Sequence, residues 1–156
     1  MRQKYEGLAK RENMRYENIR FVYIFYFSGM ILPCLFIAPA ENKGRGVFTA
    51  EDIEADITIE VAPVIVMSAA ERELLDKTLL HDYIFEWGEN RDQCCMALGY
   101  VPMYNHAYRS NCEYTMDFDA ETIIVKTVRF VKAGEELFIN YNGDWNNESK
   151  LWFPAT

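Results

Sequence analysis

The sequence predicts a mainly β domain with one short helix. Three observations predict it: short apolar or β-branched runs between Gly-containing turns, one clear helix-start signal, and no internal repeats or low-complexity segments. The chain has 156 residues, half of them hydrophobic, with 10 Tyr, 10 Phe and 3 Trp, which is enough to build one core in one domain.

Residues 1–29 are read as an extension outside a domain spanning 30–156. The stretch before Phe21 is polar and mixed in charge, whereas Phe21 to Ala40 carries no charge. In composition that run could pass for a signal peptide or a membrane span. Gly29, Pro33 and Pro39 interrupt it as a helix, and Glu6, Glu12 and Glu17 sit among the bases before it. The expectation is therefore a start at Met30 with a non-native upstream addition, and no membrane attachment.

Ile31–Ala38 reads as a strand and Glu41–Gly46 as a turn, after which Val47-Phe48 opens a second strand. Ile57, Ile59 and Val61 alternate with Thr58, Glu60 and Ala62, the period of two of a strand, which Val64–Val66 prolongs past Pro63. Ser68-Ala69-Ala70-Glu71 is a capping box. Leu74, Leu75, Thr78 and Leu79 follow at helical spacing, so a helix is predicted over 69–80. Tyr83, Phe85 and Trp87 alternate as in a strand, and Cys94–Leu98 is an apolar run ending at Gly99. Ile123–Val128 is a β-branched strand, Val131–Gly134 a turn, and Leu137–Tyr141 the last strand.

The net charge of −8 argues against a nucleic-acid surface, which needs clustered Lys and Arg, and suits a basic protein or peptide partner. The four cysteines, Cys34, Cys94, Cys95 and Cys112, show no zinc-type spacing, so no metal is expected. Unpaired thiols point to a reducing, cytoplasmic setting.

Three segments carry the chemistry. Lys43-Gly44-Arg45-Gly46 is a turn whose glycines let backbone approach a ligand. Asn105-His106 is followed, six residues after the Asn, by Asn111-Cys112. Gly134-Glu135-Glu136-Leu137-Phe138-Ile139-Asn140-Tyr141 places one Tyr at the end of an apolar strand. Each alone is weak: a G-x-G is usually a plain turn, and such a Tyr usually packs. Together, in this order and with these gaps, they resemble the SET-domain family of protein-lysine methyltransferases, from about Leu32 to Phe153.

The resemblance implies a SET β-clip fold with knot-like threading near the C-terminus. It implies S-adenosylmethionine as methyl donor, S-adenosylhomocysteine as product, and the ε-amine of a lysine in a basic protein as acceptor. Carried over residue by residue, Lys43, Gly44, Arg45, Gly46, Asn105 and His106 contact the cofactor, and Trp152 stacks on its adenine. Tyr141 is the active-site tyrosine, acting either as base or as hydrogen-bonding guide. Tyr83 and Trp145 line the lysine channel, with Tyr83 and Tyr141 also reaching the cofactor.

This chain departs from the family pattern at three places. Ala107 stands for a Ser and Ser110 for a Pro, and Asn140 precedes the tyrosine where many members carry Asp. The changes at Ala107 and Asn140 leave a second reading open, a weak SET fold that only binds a protein partner. Cysteine-rich flanking modules are absent, as in minimal stand-alone members, some of which are homodimers. Ile139 replaces an aromatic that in many members limits how many methyl groups fit.

Overall fold

A computed structural model of the chain describes residues 29–151. The proposed extension up to Ser28, and Trp152, lie outside the described residues. Ten strands form two sheets: β1 Met30–Ile31, β2 Leu35–Ala40, β3 Gly44–Thr49, β4 Thr58–Met67, β5 Phe85–Trp87, β6 Gln93–Ala97, β7 Asn105–His106, β8 Cys112–Asp117, β9 Thr122–Thr127 and β10 Glu136–Ile139. Among the described residues one α-helix, α1 Ala69–Leu75, and two 3-10 turns, Leu79–Tyr83 and Val101–Met103, complete them. Over these residues the expected class, mainly β with one helix, is the one observed.

The larger sheet runs β5-β6-β4-β9-β8, with β1 also paired to β4. Its two ends meet through side chains. Phe85 of β5 packs edge-on against Tyr114 of β8 with ring centres 5.6 Å apart, and Trp87 packs the same way on Phe118 at 4.8 Å. The smaller sheet runs β2-β3-β10-β7, and its β10–β7 pair is parallel. Between the sheets lie Val47, Ile59, Val101, Tyr104, Ile123, Val125, Val131, Leu137 and Ile139, all fully or almost fully buried. Apolar area of this kind supplies about 25 cal/mol per Å² removed from water.

Several expected elements differ in extent. The strand expected over 31–38 is two strands, because Leu32–Cys34 makes a turn around Pro33 in which the Leu35 N–H donates to the Leu32 carbonyl. The helix expected to reach residue 80 ends at Leu75. Thr78 ends it: its N–H and hydroxyl both donate to the Leu75 carbonyl, and its side chain then caps the 3-10 turn by accepting from the Leu80 N–H. The capping box itself forms, with Ser68 and Glu71 bonded reciprocally. β8 is an addition to the sequence reading.

Strand β4 departs from simple alternation. Ile59 and Glu60 are both completely buried, while Ile57 is exposed. β4 is central in the larger sheet, and the turn over Tyr100–Tyr104 covers its Glu60 face. The β4–β9 pairing shifts register between Thr58 and Glu60, a β-bulge that breaks the alternation there, and beyond it Glu60, Ala62 and Val64 are buried while Ile65 is exposed. In β6, Cys94 and Cys95 point to opposite faces and are both buried.

Candidate active site

The three sequence motifs converge on the smaller sheet. The turn expected over 41–46 is shorter, covering 41–43, because Gly44, Arg45 and Gly46 already belong to β3, paired with Ala40, Pro39 and Ala38 of β2. Asn105-His106 is β7, and Tyr141 follows β10, which lies between β3 and β7. Asn105 ties the first two together: its Nδ2 donates to the Arg45 carbonyl at 3.1 Å and to Glu136 Oε1 at 2.6 Å. Gly46 leaves room for that bond. A Cβ at residue 46 would stand 2.2 Å from Glu136 Oε1 and 2.8 Å from Asn105 Nδ2. Gly44 is required for a different reason, since its φ of +74° is a left-handed conformation that side chains resist.

Lys43 reaches across the motif. Its Nζ donates to the His106 carbonyl at 3.0 Å and lies 5.0 Å from the Phe138 ring centre. Asn111 acts as a substitute strand partner. Its Nδ2 donates to the Glu136 carbonyl at 2.7 Å and its Oδ1 accepts from the Phe138 N–H at 2.7 Å. This explains why the Asn111-Cys112 pair sits at a fixed distance beyond β7: the amide continues the β7 side of β10.

Tyr141 is held at both ends. Its N–H donates to His106 Nδ1 at 3.2 Å and its hydroxyl donates to the Tyr104 carbonyl at 2.9 Å. The residue is 39% exposed, yet that carbonyl bond anchors its phenol end within the protein. Burial pushes the phenol up to about 12, with the Asp82 charge and then Tyr114 and Tyr83 adding to the effect. Tyr83 is therefore in the electrostatic neighbourhood of Tyr141. So are Tyr114 and Asp82, both missed by the sequence reading. Tyr114 lies two residues beyond buried Cys112 on β8 and so shares its face, a placement the sequence did not show because β8 itself was not legible in it. Trp145 is a different case. Its side chain is 40% exposed, and what the structure fixes is its carbonyl, which accepts from the Ser110 N–H at 3.0 Å and the Ser110 hydroxyl at 3.2 Å. Ile139 is buried in the core.

The departures at residues 107, 110 and 140 are accommodated here. Ala107 is held through its backbone, its N–H donating to the Ile139 carbonyl at 3.1 Å. Ser110 supplies a backbone N–H to the Trp145 carbonyl, which a proline lacks, and a hydroxyl 2.7 Å from the Cys112 carbonyl and 3.2 Å from that of Trp145. Asn140 is fully buried and uses both ends of its amide: Nδ2 donates to the Tyr108 carbonyl at 3.1 Å and to the Asn147 carbonyl at 2.7 Å, and Oδ1 accepts from the Asn142 N–H at 3.0 Å. These contacts lay the 140–147 segment against 108–110, which is as much of the expected threading as they define. An acid at 140 would turn an oxygen on two carbonyls. Asn140→Asp is expected to cost about 2–3 kcal/mol and to lower Tm by roughly 5–10 °C, read by calorimetric melting at neutral pH.

His106 carries a readable pH dependence. Burial first, and the Lys43 charge second, hold its pKa below the ordinary 6.5. The Tyr141 N–H needs Nδ1 as an acceptor, so the neutral ring is the native form. A depressed pKa means that this contribution to stability is whole above about 6.5 and is lost as pH falls from there through the lower folded value. Urea midpoints measured against pH should show that loss, and His106→Asn, which keeps an acceptor that does not titrate, should remove it.

The site suits a methyl donor of the S-adenosylmethionine type. His106 Nε2 is buried and finds no hydrogen-bond partner among the described residues, so a polar group is owed to it. With Nδ1 accepting from Tyr141, that nitrogen is a donor. The adjoining turn is open, with nothing within 4 Å of a Cβ built at Gly44, and Lys43 and Arg45 provide positive charge for a carboxylate. Among the described residues, no group of His, Cys, Asp and Glu is arranged to hold a metal ion, and no helix is long and apolar enough to cross a membrane.

Comparison with known proteins agrees with this geometry. Residues 44–142 match the SET domain family. The chain belongs to that family. This SET domain is 38% identical over 118 residues to a Schizosaccharomyces pombe histone-lysine N-methyltransferase specific for H3 lysine-37, covering 75% of each chain. Its fold matches a crystal structure of a Plasmodium falciparum protein described as a histone methyltransferase, with TM-score 0.57 and 26% identity over 74% of this chain and 98% of that one. It also matches a chain of a humanized Chaetomium thermophilum Polycomb Repressive Complex 2 bound to the inhibitor GSK126, with TM-score 0.56 and 25% identity over 69% of this chain and 14% of that one. The SET domain described here is a protein-lysine methyltransferase.

Proposed function

We propose that this SET domain methylates the ε-amine of a lysine in a histone or another basic tail, with S-adenosylmethionine as donor. One observation carries the reading: Tyr141, fixed by Tyr104 and His106, stands where the Gly-rich turn and the Asn105–His106 strand converge. Lys43, Gly44, Arg45, Gly46, Asn105 and His106 would hold the cofactor, with Trp152 beyond the described residues as a further candidate. When bound, that cofactor supplies an electrophilic methyl group on a sulfonium.

The chain's own residues orient the amine. The Tyr141 proton is committed to the Tyr104 carbonyl, and a phenol pushed up to about 12 stays protonated at neutral pH. The hydroxyl oxygen can accept an amine N–H and aim the nitrogen lone pair. This supports Tyr141 as a guide rather than a base. Tyr83, Tyr114 and the Asp82 charge near it favour an ammonium arriving at the site. Trp145 would close the channel from the segment that Ser110 holds. The net charge of −8 favours encounter with a basic partner.

The test is titration calorimetry with S-adenosylmethionine and S-adenosylhomocysteine, followed by mass analysis of core histones after incubation. Micromolar binding and added methyl groups on lysine are expected. A folded protein that binds neither compound would overturn the reading. The cytoplasmic location and the homodimer belong to the same proposal, and cell fractionation and light scattering would decide them.

A further inference from the structure

Glu60 is completely buried in β4, and the reaction described above gives it no role. Its three described partners all come from one short stretch. The Tyr100 N–H at 2.7 Å and the Val101 N–H at 3.2 Å donate to Oε1, and the Tyr104 hydroxyl at 3.0 Å donates to Oε2. None of them is a cation. Burial raises the Glu60 pKa, and the three donors oppose the rise. A buried carboxylate without a cation is an expensive way to fill a core, since an apolar side chain of similar size would avoid the desolvation. Gly99 lets the chain pass close beside it: a Cβ there would stand 2.5 Å from Oε1.

The stretch held by Glu60 leads directly into the site. It ends at Tyr104, whose carbonyl takes the Tyr141 hydroxyl proton at 2.9 Å, and it continues as Asn105-His106. The orientation of the Tyr141 hydroxyl thus depends on a carbonyl whose own residue is tied to Glu60. If that carbonyl moved away, the hydroxyl could turn and donate to the incoming amine. An amine that accepts such a bond has its lone pair engaged and cannot attack a methyl group.

We propose that Glu60 is a positioning residue for methyl transfer, fixing the Tyr100–Tyr104 turn so that the Tyr104 carbonyl holds the Tyr141 proton away from the target amine. Glu60 touches neither substrate nor cofactor and acts through Tyr104. The role rests on the methyltransferase reading above.

The experiment compares full-length wild type with Glu60→Gln, Tyr104→Phe and the double variant. It reads kcat and KM on core histones, S-adenosylhomocysteine affinity by calorimetry, and the 13C signal of the Tyr141 ζ carbon, assigned with Tyr141→Phe. Glu60→Gln is expected to lower kcat by about tenfold or more while KM and affinity stay within about threefold. The ζ-carbon signal should move, because it reports the hydroxyl hydrogen bond. Tyr104→Phe, which keeps the carboxylate and removes one of its three bonds, should give a smaller loss in the same direction, and the double variant should lose no more than Glu60→Gln alone. An unchanged kcat and ζ-carbon signal in folded Glu60→Gln would overturn the proposal, as would kcat and affinity falling in equal proportion. If Glu60→Gln does not fold, Tyr104→Phe decides by the same criteria. Wild type that binds neither S-adenosylmethionine nor S-adenosylhomocysteine would refute the functional reading instead, and the ζ-carbon signal, which needs no substrate, would still decide whether Glu60 positions the Tyr141 hydroxyl.

Discussion

Tyr141→Phe is expected to cut methyl transfer by about a hundredfold or more, because a small misplacement of the reacting atoms is enough for a loss of that size. Cofactor affinity should change by less than about threefold, since the ring and the backbone bond to His106 both remain. The lost hydroxyl leaves the Tyr104 carbonyl without that donor, which costs about 1 kcal/mol of stability. Single-turnover rates with saturating cofactor, together with calorimetric affinity, separate the two effects. Equal loss of rate and affinity would show that Tyr141 serves the structure and not the reaction.

Gly46→Ala is the second large effect expected, and it should strike cofactor affinity. The new Cβ would lie 2.2 Å from Glu136 Oε1. A free glutamate could swing aside, but this one is bound to Asn105 at 2.6 Å, and Asn105 also holds the Arg45 carbonyl. The carboxylate has to leave, and Asn105 loses the partner that orients it. Affinity for S-adenosylhomocysteine should fall about tenfold or more, with about 1–3 kcal/mol of destabilisation from overpacking. Gly44→Ala is the control. Nothing lies within 4 Å of its Cβ, so only the φ of +74° is strained, at about 1–2 kcal/mol, and affinity should hold much better. If the two variants lose affinity equally, backbone freedom and not the Asn105–Glu136 contact governs the turn.

The sequence made the positions of the turn, the Asn–His pair and the tyrosine legible because each is a local signal with a fixed gap. It did not reveal what those residues do to one another. Asn140 read as a departure from the family pattern, and only the placement of Tyr108 and Asn147 shows that two donors are needed there. Strand β8 was hidden because Glu113, Thr115 and Asp117 dilute its apolar content, and its pairing with β9 depends on partners elsewhere in the chain. Glu60 looked like the outer half of an alternating strand, since nothing local announces a turn packing over it. The early end of α1 turned on the two roles of Thr78, which helical spacing of leucines cannot express.

Strand β10 arrives late in the chain and fills a slot between β3, about ninety residues earlier, and β7, about thirty residues earlier. Until it is in place, Asn111 and His106 lack their bonds to it and Asn105 keeps only the Arg45 carbonyl, and a chain stopped short of Gly134 has no site, whatever its larger sheet has achieved. Long-range pairing of this kind is slow compared with local structure. During synthesis, catalytic competence is therefore a property the polypeptide acquires in one late step, when its last described strand slides home.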